Sequence, residues 1–387
     1  MAGPLARPHS WLQEWFQGGI RDLMTRPRGN IPYLDVLRTA AILLVFCTHF
    51  GGEFQARPAV SKFPFIYWGW SGVDLFFILS GILIGTQLWK ELQRTGHIKV
   101  GRFLLRRGLR IWPLYFSFVA LLLFSVLFLG HDGRGLWSDA TFLSNYFPCK
   151  LGGGWSLSTE EQFYILAPVC ISLLARKVKP HHLWMIGFAI CIPILSRAIT
   201  ASRSTLDEYQ LRQSLYFPFH THADGLVMGL LISWCCVYTP DFIRSTRRRT
   251  GVMLLMIVAG IGLYAVNRVL FNFTSLALIY GGVALYGMGV VVTPRILRWH
   301  GFYLISRLSY GIYLNHFGLL DRLRALLLPW RLRGGEPVFW LCLLLSFLIS
   351  MAIALVTFQL IEWPFLVLRS RWLKPKTIAA HQGSPTA

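Results

Sequence analysis

The chain has 387 residues, 54% of them hydrophobic and only 14% charged, with a formal net charge of +21. That many long apolar runs exclude an ordinary soluble domain and point to a bilayer, whose ~30 Å core takes about 20 residues to span. The surplus of 38 Lys and Arg over 17 Asp and Glu reads as membrane topology, so no nucleic-acid partner is expected.

Residues 1–32 have no continuous apolar core and carry Arg7, Arg21, Arg26 and Arg28, so no cleavable signal peptide is expected. They read as a cytoplasmic or interfacial segment, with Trp11 to Phe16 as a short amphipathic helix on the membrane surface. Ten spans follow, at about 33–51, 66–89, 109–130, 157–175, 183–200, 215–238, 251–269, 273–293, 303–320 and 337–361. The expected fold is therefore all-α, a polytopic helix bundle occupying 33–371, with 372–387 as a disordered cytoplasmic tail. With the N-terminus inside, the inner segments hold 25 Lys and Arg, the outer ones 12, and Arg38 lies within the membrane. Both termini are then cytoplasmic. Seven cysteines, mostly within spans, lack metal-ligand spacing and read as packing residues, and no metal is expected.

The first span places Arg38 and His49 eleven residues apart. On a helix that is three turns plus roughly 20°, so both side chains share a face about 16 Å apart. A snorkelling arginine and an interfacial histidine would explain either alone. Ionisable groups at such depth default to function, and histidine can act as a base near neutral pH. The second span brings Asp74 to a similar depth among phenylalanines, where His49 is the expected partner. In the next inner loop Arg107 and Arg110, three apart, can present two guanidinium groups on one face and suit phosphates. Arg106 faces elsewhere and anchors the interface.

The fourth span opens with Trp155, Ser158, Glu160, Glu161 and Gln162 near the outer face. Adjacent carboxylates cannot share a groove, so Glu160 and Glu161 should play different parts. A capping box between Ser158 and Glu161 is the structural alternative. His222 and Asp224 in the sixth span, and Tyr310 and His316 in the ninth, add further polar groups in the outer half. They read as an acceptor site or a packing network.

These residues lie in ordered motifs: Leu34-Asp35-Val36-Leu37-Arg38 with His49; Gly72-Val73-Asp74 through Gly81; Arg106-Arg107-Gly108-Leu109-Arg110 through Pro113; Trp155-Ser156-Leu157-Ser158-Thr159-Glu160-Glu161 through Tyr164; Ser309-Tyr310-Gly311-Ile312-Tyr313-Leu314-Asn315-His316; and Ile361-Glu362-Trp363-Pro364-Phe365. In this order the chain resembles the acyltransferase 3 family of integral membrane acyltransferases, from about Ile31 to Arg371. The resemblance implies transfer of an acyl group, expected to be acetyl from cytoplasmic acetyl-CoA, to a hydroxyl of a sugar-containing acceptor at the outer side. It assigns Arg38, Arg107 and Arg110 to the donor and His49 to the essential histidine. His49 is then the general base, oriented by Asp74 or Glu161, although an acyl-histidine route is also open. His222-Ala223-Asp224-Gly225 stands where the family often has Arg-x-Asp-Gly, and the esterase-like domain that some members carry is not expected here.

Partners expected are acyl-CoA as cosubstrate, a carbohydrate or glycolipid acceptor and membrane lipids, with a homo-oligomer possible and no permanently bound cofactor. The expected location is the bacterial inner membrane. The rival from another class is a proton-coupled transporter of a small solute or sugar, which would also bury Asp, Glu, His and Arg.

Overall fold

The computed structural model describes residues 17–27, 29–54, 63–290 and 293–372. Trp11 to Phe16 and the tail from 373 lie outside the described residues. Within them the structure is helical, without strands. The main elements are α1 (Pro32–Glu53), α2 (Gly72–Thr95), α3 (Val100–Leu129) and α4 (Gly154–Leu174). A 3₁₀ stretch, Pro180–Ile190, runs into α5 (Cys191–Arg203). Then come α6 (Asp224–Tyr238), α7 (Thr246–Val266) and α8 (Arg268–Met288). The long run His300–Thr357 breaks at Gly335, whose φ of 70° and ψ of −152° are not helical, into α9 (300–334) and α10 (336–357). A π turn, Phe358–Glu362, leads into α11 (Trp363–Trp372).

Local chemistry sets these boundaries. Pro32 opens α1, where its missing N–H costs nothing. Gly96 closes α2 in the left-handed region and returns its N–H to the Leu92 carbonyl. Asn267 caps α8 by accepting the Val269 and Leu270 N–H groups at 3.0 and 2.9 Å.

Seven helices among the described residues are long and apolar enough to cross a membrane: α1, α2 with its preceding turn, α3, the Pro180–Arg203 segment, α7, α8 and the 73-residue run His300–Trp372. Much of α3 and α7 turns leucine, phenylalanine and valine outward, including Leu127, Phe128 and Val258, as a lipid-facing surface requires. The chain is an integral membrane protein.

Two expectations are corrected here. The segment 215–238 is not one long span: α6 has 15 residues and follows a separate nine-residue helix, Glu208–Tyr216, and a 3₁₀ turn, Phe219–Thr221. Pro218, which has no N–H to donate, lies between those two. The expected outer loop after residue 320 is instead helical up to Gly335, and there Arg331 is buried with its guanidinium 5.0 Å from the Phe339 ring.

Short α6 lies against α2 at a crossing of small residues. A Cβ on Gly81 would come within 2.9 Å of Gly229 Cα, and one on Gly229 within 2.8 Å of Gly81 Cα. Without hydrophobic drive between helices in lipid, such close backbone approach supplies the attraction. Helix α9 packs along α1, which brings His316 to His49. The loop between α3 and α4 is tied by Asp139, which accepts the Lys150 and Leu151 N–H groups and the Ser144 hydroxyl at 2.7, 3.1 and 3.0 Å. Burial raises that carboxyl above its ordinary range, while these three donors pull it back. The tie fixes Gly153, left-handed at φ 76°, from which α4 starts.

Candidate active site

Two cavities meet inside the bundle, and both are lined by Val73 and Tyr313. The first, of about 130 Å³, takes Arg38, Arg107, Arg110 and Arg307 against Glu160 and Glu362. The second, of about 650 Å³, takes His49 and an aromatic wall including Trp70, Trp155, Tyr216 and Phe317. Helix α1 thus contributes Arg38 to one and His49 to the other, as their eleven-residue spacing predicts.

The arginine cavity carries four guanidinium groups against two carboxylates. Arg107 is buried, with its Nε and one terminal nitrogen unmatched by any acceptor among the described residues. Its guanidinium lies 5.8 Å from the Phe103 ring and 5.7 Å from that of Tyr164. Unmatched buried donors are costly, so this group suits an anion supplied from outside the protein. Arg110, one turn on, lines the same cavity, whereas Arg106 is exposed. Arg307 pairs with Asp22 at the edge and leaves its own Nε unmatched.

Glu160 belongs to this cavity, not to the histidine side, and accepts the Tyr164 hydroxyl at 2.5 Å, which also meets Ser80 at 2.9 Å. Glu161 turns away and accepts the Trp112 indole N–H at 3.1 Å. The two carboxylates do play different parts. The capping box does not form: Gly153 is the N-cap, and Ser158 and Glu161 both lie inside α4, Ser158 meeting Ser144 at 3.1 Å.

His49 is held by His316, not by Asp74 or Glu161. Its Nδ1 lies 3.0 Å from His316 Nε2, and His316 Nδ1 lies 2.6 Å from the Tyr313 carbonyl. A carbonyl only accepts, so the network assigns the proton of neutral His316 to Nδ1 and leaves its Nε2 as acceptor. His49 must then donate from Nδ1, and its Nε2 keeps a free lone pair. Asp74 is engaged elsewhere, 2.9 Å from His222 Nε2, while His222 Nδ1 meets the Tyr216 carbonyl at 2.6 Å. That dyad is buried behind the aromatic wall, with Trp155 and Phe273 stacked on the His222 ring.

Asp224 is likewise structural. Arg197 grips it through two nitrogens at 2.7 and 3.0 Å, and Thr274 donates to it at 2.6 Å. Arg197 also donates to the Leu270 and Thr221 carbonyls, both at 2.7 Å, so one buried clamp joins α5, α6 and α8. Tyr310 lines the arginine cavity and donates to the Ile111 carbonyl at 2.9 Å.

Sequence reasoning passed over Arg307, Glu362, Ser156, Tyr313 and Arg197 as site residues. Arg307 stands three residues before Tyr310, close to its helix face, and that spacing was the available signal. Nothing in the sequence links Arg197 to Asp224.

Residues 31–357 match the sequence model of a family described as an acyltransferase domain, and the chain belongs to that family. It is similar to the O-acetyltransferase OatA of Staphylococcus aureus, from strain NCTC 8325 / PS 47 and from strain COL, at 25% identity over 373 residues. The match takes in 88% of this chain and 58% of that protein, so the chain spans little more than half the length of these relatives. No solved structure matches.

Proposed function

We propose that this acyltransferase-family member is a membrane O-acetyltransferase that moves acetyl from acetyl-CoA, bound in the arginine cavity, to a hydroxyl of a sugar-containing acceptor in the histidine cavity. The observation that carries the reading is the pair of cavities meeting at Tyr313, one lined by four arginines, of which Arg107 and Arg307 keep nitrogens without an acceptor among the described residues, and one holding His49. The OatA name of its relatives supports acetyl as the group and a hydroxyl as its destination.

Arg107 and Arg110 bind the CoA phosphates in this reading, and Arg38 and Arg307 add charge to the same cavity. His49 Nε2 takes the proton of the acceptor hydroxyl while its oxygen attacks the thioester carbonyl. The C–S bond then breaks, and the imidazolium returns the proton to the departing CoA sulfur. His316 keeps His49 in the productive tautomer, the part once expected of Asp74 or Glu161.

The same reading takes the chain through the bilayer ten times, with both termini and the arginine cavity on the cytoplasmic side. The charge asymmetry of 25 basic residues against 12 supports that orientation. Purified protein in lipid vesicles, given acetyl-CoA and a membrane glycan fraction, should release free CoA thiol and leave ester-linked acetyl on the glycan. A transporter would do neither.

A further inference from the structure

The residues shared by the donor and base cavities, with their neighbours, form a septum between them, and it carries polar atoms. Among the described residues, Tyr313 lines both cavities, while Trp155 and Ser156, neighbours on α4, line one each. Tyr313 and Ser156 hydroxyls lie 2.5 Å apart, and both reach the Gly153 carbonyl, at 3.2 and 3.1 Å. Two protons therefore serve one carbonyl and one hydroxyl–hydroxyl contact. Either hydroxyl can give up its internal bond while the other keeps Gly153 satisfied.

The other tyrosines of the arginine cavity have no such freedom. Tyr164 commits its proton to the Glu160 carboxylate, and Tyr310 commits its own to the Ile111 carbonyl. Both of those partners are acceptors only. A thioester passing from the arginines toward His49 must present its carbonyl at the septum, where negative charge develops on oxygen as the acceptor attacks. Preorganised donors at that point are a major source of rate acceleration.

We propose that the Tyr313 and Ser156 hydroxyls form the oxyanion-binding pair of the transfer reaction, an assignment that rests on the proposed acetyl-CoA reading. As the acceptor oxygen bonds to the carbonyl carbon, the carbonyl π electrons move to oxygen, which accepts a hydrogen bond from the pair. They return to re-form the carbonyl as the C–S bond breaks and the CoA sulfur leaves with the proton held by His49. The septum hydroxyls stay protonated throughout. Gly153 serves the pair through its carbonyl, and its left-handed backbone at φ 76° favours the glycine found there.

The test measures kcat for acetyl transfer, and CoA affinity by calorimetry, in the full-length protein and its Tyr313→Phe and Ser156→Ala variants. Loss of one oxyanion donor predicts a fall in kcat of about 10²-fold. CoA affinity should stay within about twofold, because the phosphates lie in the arginine cavity. The double variant should lose less than the product of the single losses, since the pair acts as a unit. A folded variant of either residue that keeps kcat within a few-fold of wild type overturns the assignment. So does a loss that follows CoA affinity. Should Tyr313→Phe not fold, Ser156→Ala decides alone. Wild-type protein that cleaves no acetyl-CoA overturns the underlying reading and this assignment with it, whereas an active wild type with indifferent variants overturns the oxyanion role alone.

Discussion

His49 and His316 give the residue scale its sharpest expectation. With His49 Nδ1 committed to His316, the free Nε2 is the proposed base, so His49→Ala should lower acetyl transfer by roughly 10²-fold or more in a protein that still inserts and folds. His316→Phe keeps a ring in the same space but removes the acceptor that fixes the tautomer. It should cost roughly tenfold or more in kcat and leave CoA affinity unchanged, and an unaffected kcat would detach His316 from the chemistry. Arg107→Ala should act on the other half of the reaction, raising the apparent KM for acetyl-CoA, with Arg107→Lys recovering only part because an ammonium lacks the planar fork. Normal CoA binding in calorimetry by Arg107→Ala would remove that arginine from the donor site. The separation of Arg38 from His49 was legible in the sequence, since both sit on one helix whose pitch is known. The partner of Asp74 was not: it depends on how α2 is turned toward the segment before α6, and His222 is 148 positions away.

The clamp at Arg197 belongs to the scale of elements, because it joins three of them through one buried guanidinium. Arg197→Leu leaves the Asp224 carboxylate buried without its cation, which should cost about 3–5 kcal/mol. Thermal melting in detergent reads this directly, and Arg197→Leu with Asp224→Leu should recover part of the loss. The α2–α6 crossing behaves similarly. Gly81→Ala puts a methyl against Gly229 Cα and should destabilise by about 1–3 kcal/mol through overpacking. Helix existence and type were readable from apolar periodicity along most of the chain. The exceptions have physical correlates: Pro218 interrupts the sixth apolar stretch before α6 begins at Asp224, and the charged residues after 320 continue as helix with Arg331 buried against Phe339. A basic stretch looks like a loop until its partners are known.

At the scale of the molecule, the proposed transfer requires the arginine and histidine cavities to open to opposite sides of the membrane. In a variant whose native cysteines are replaced, a cysteine at Gly96 should be shielded from impermeant thiol reagents in intact cells, and one at Gly133 should react. Both positions are exposed, and because Gly96 is left-handed at φ 73° a cysteine there strains the backbone, so that variant is first checked for folding. The proposed reaction carries acetyl from a donor on one side to an acceptor on the other, and sided membrane vesicles separate the two faces. Labelled acetyl-CoA added to inside-out vesicles, which expose the cytoplasmic face, should give ester-linked label on glycan in the lumen. The same donor added outside right-side-out vesicles should give none. Label from right-side-out vesicles alone, or on glycan at the face where the donor was added, would contradict transfer through the paired cavities.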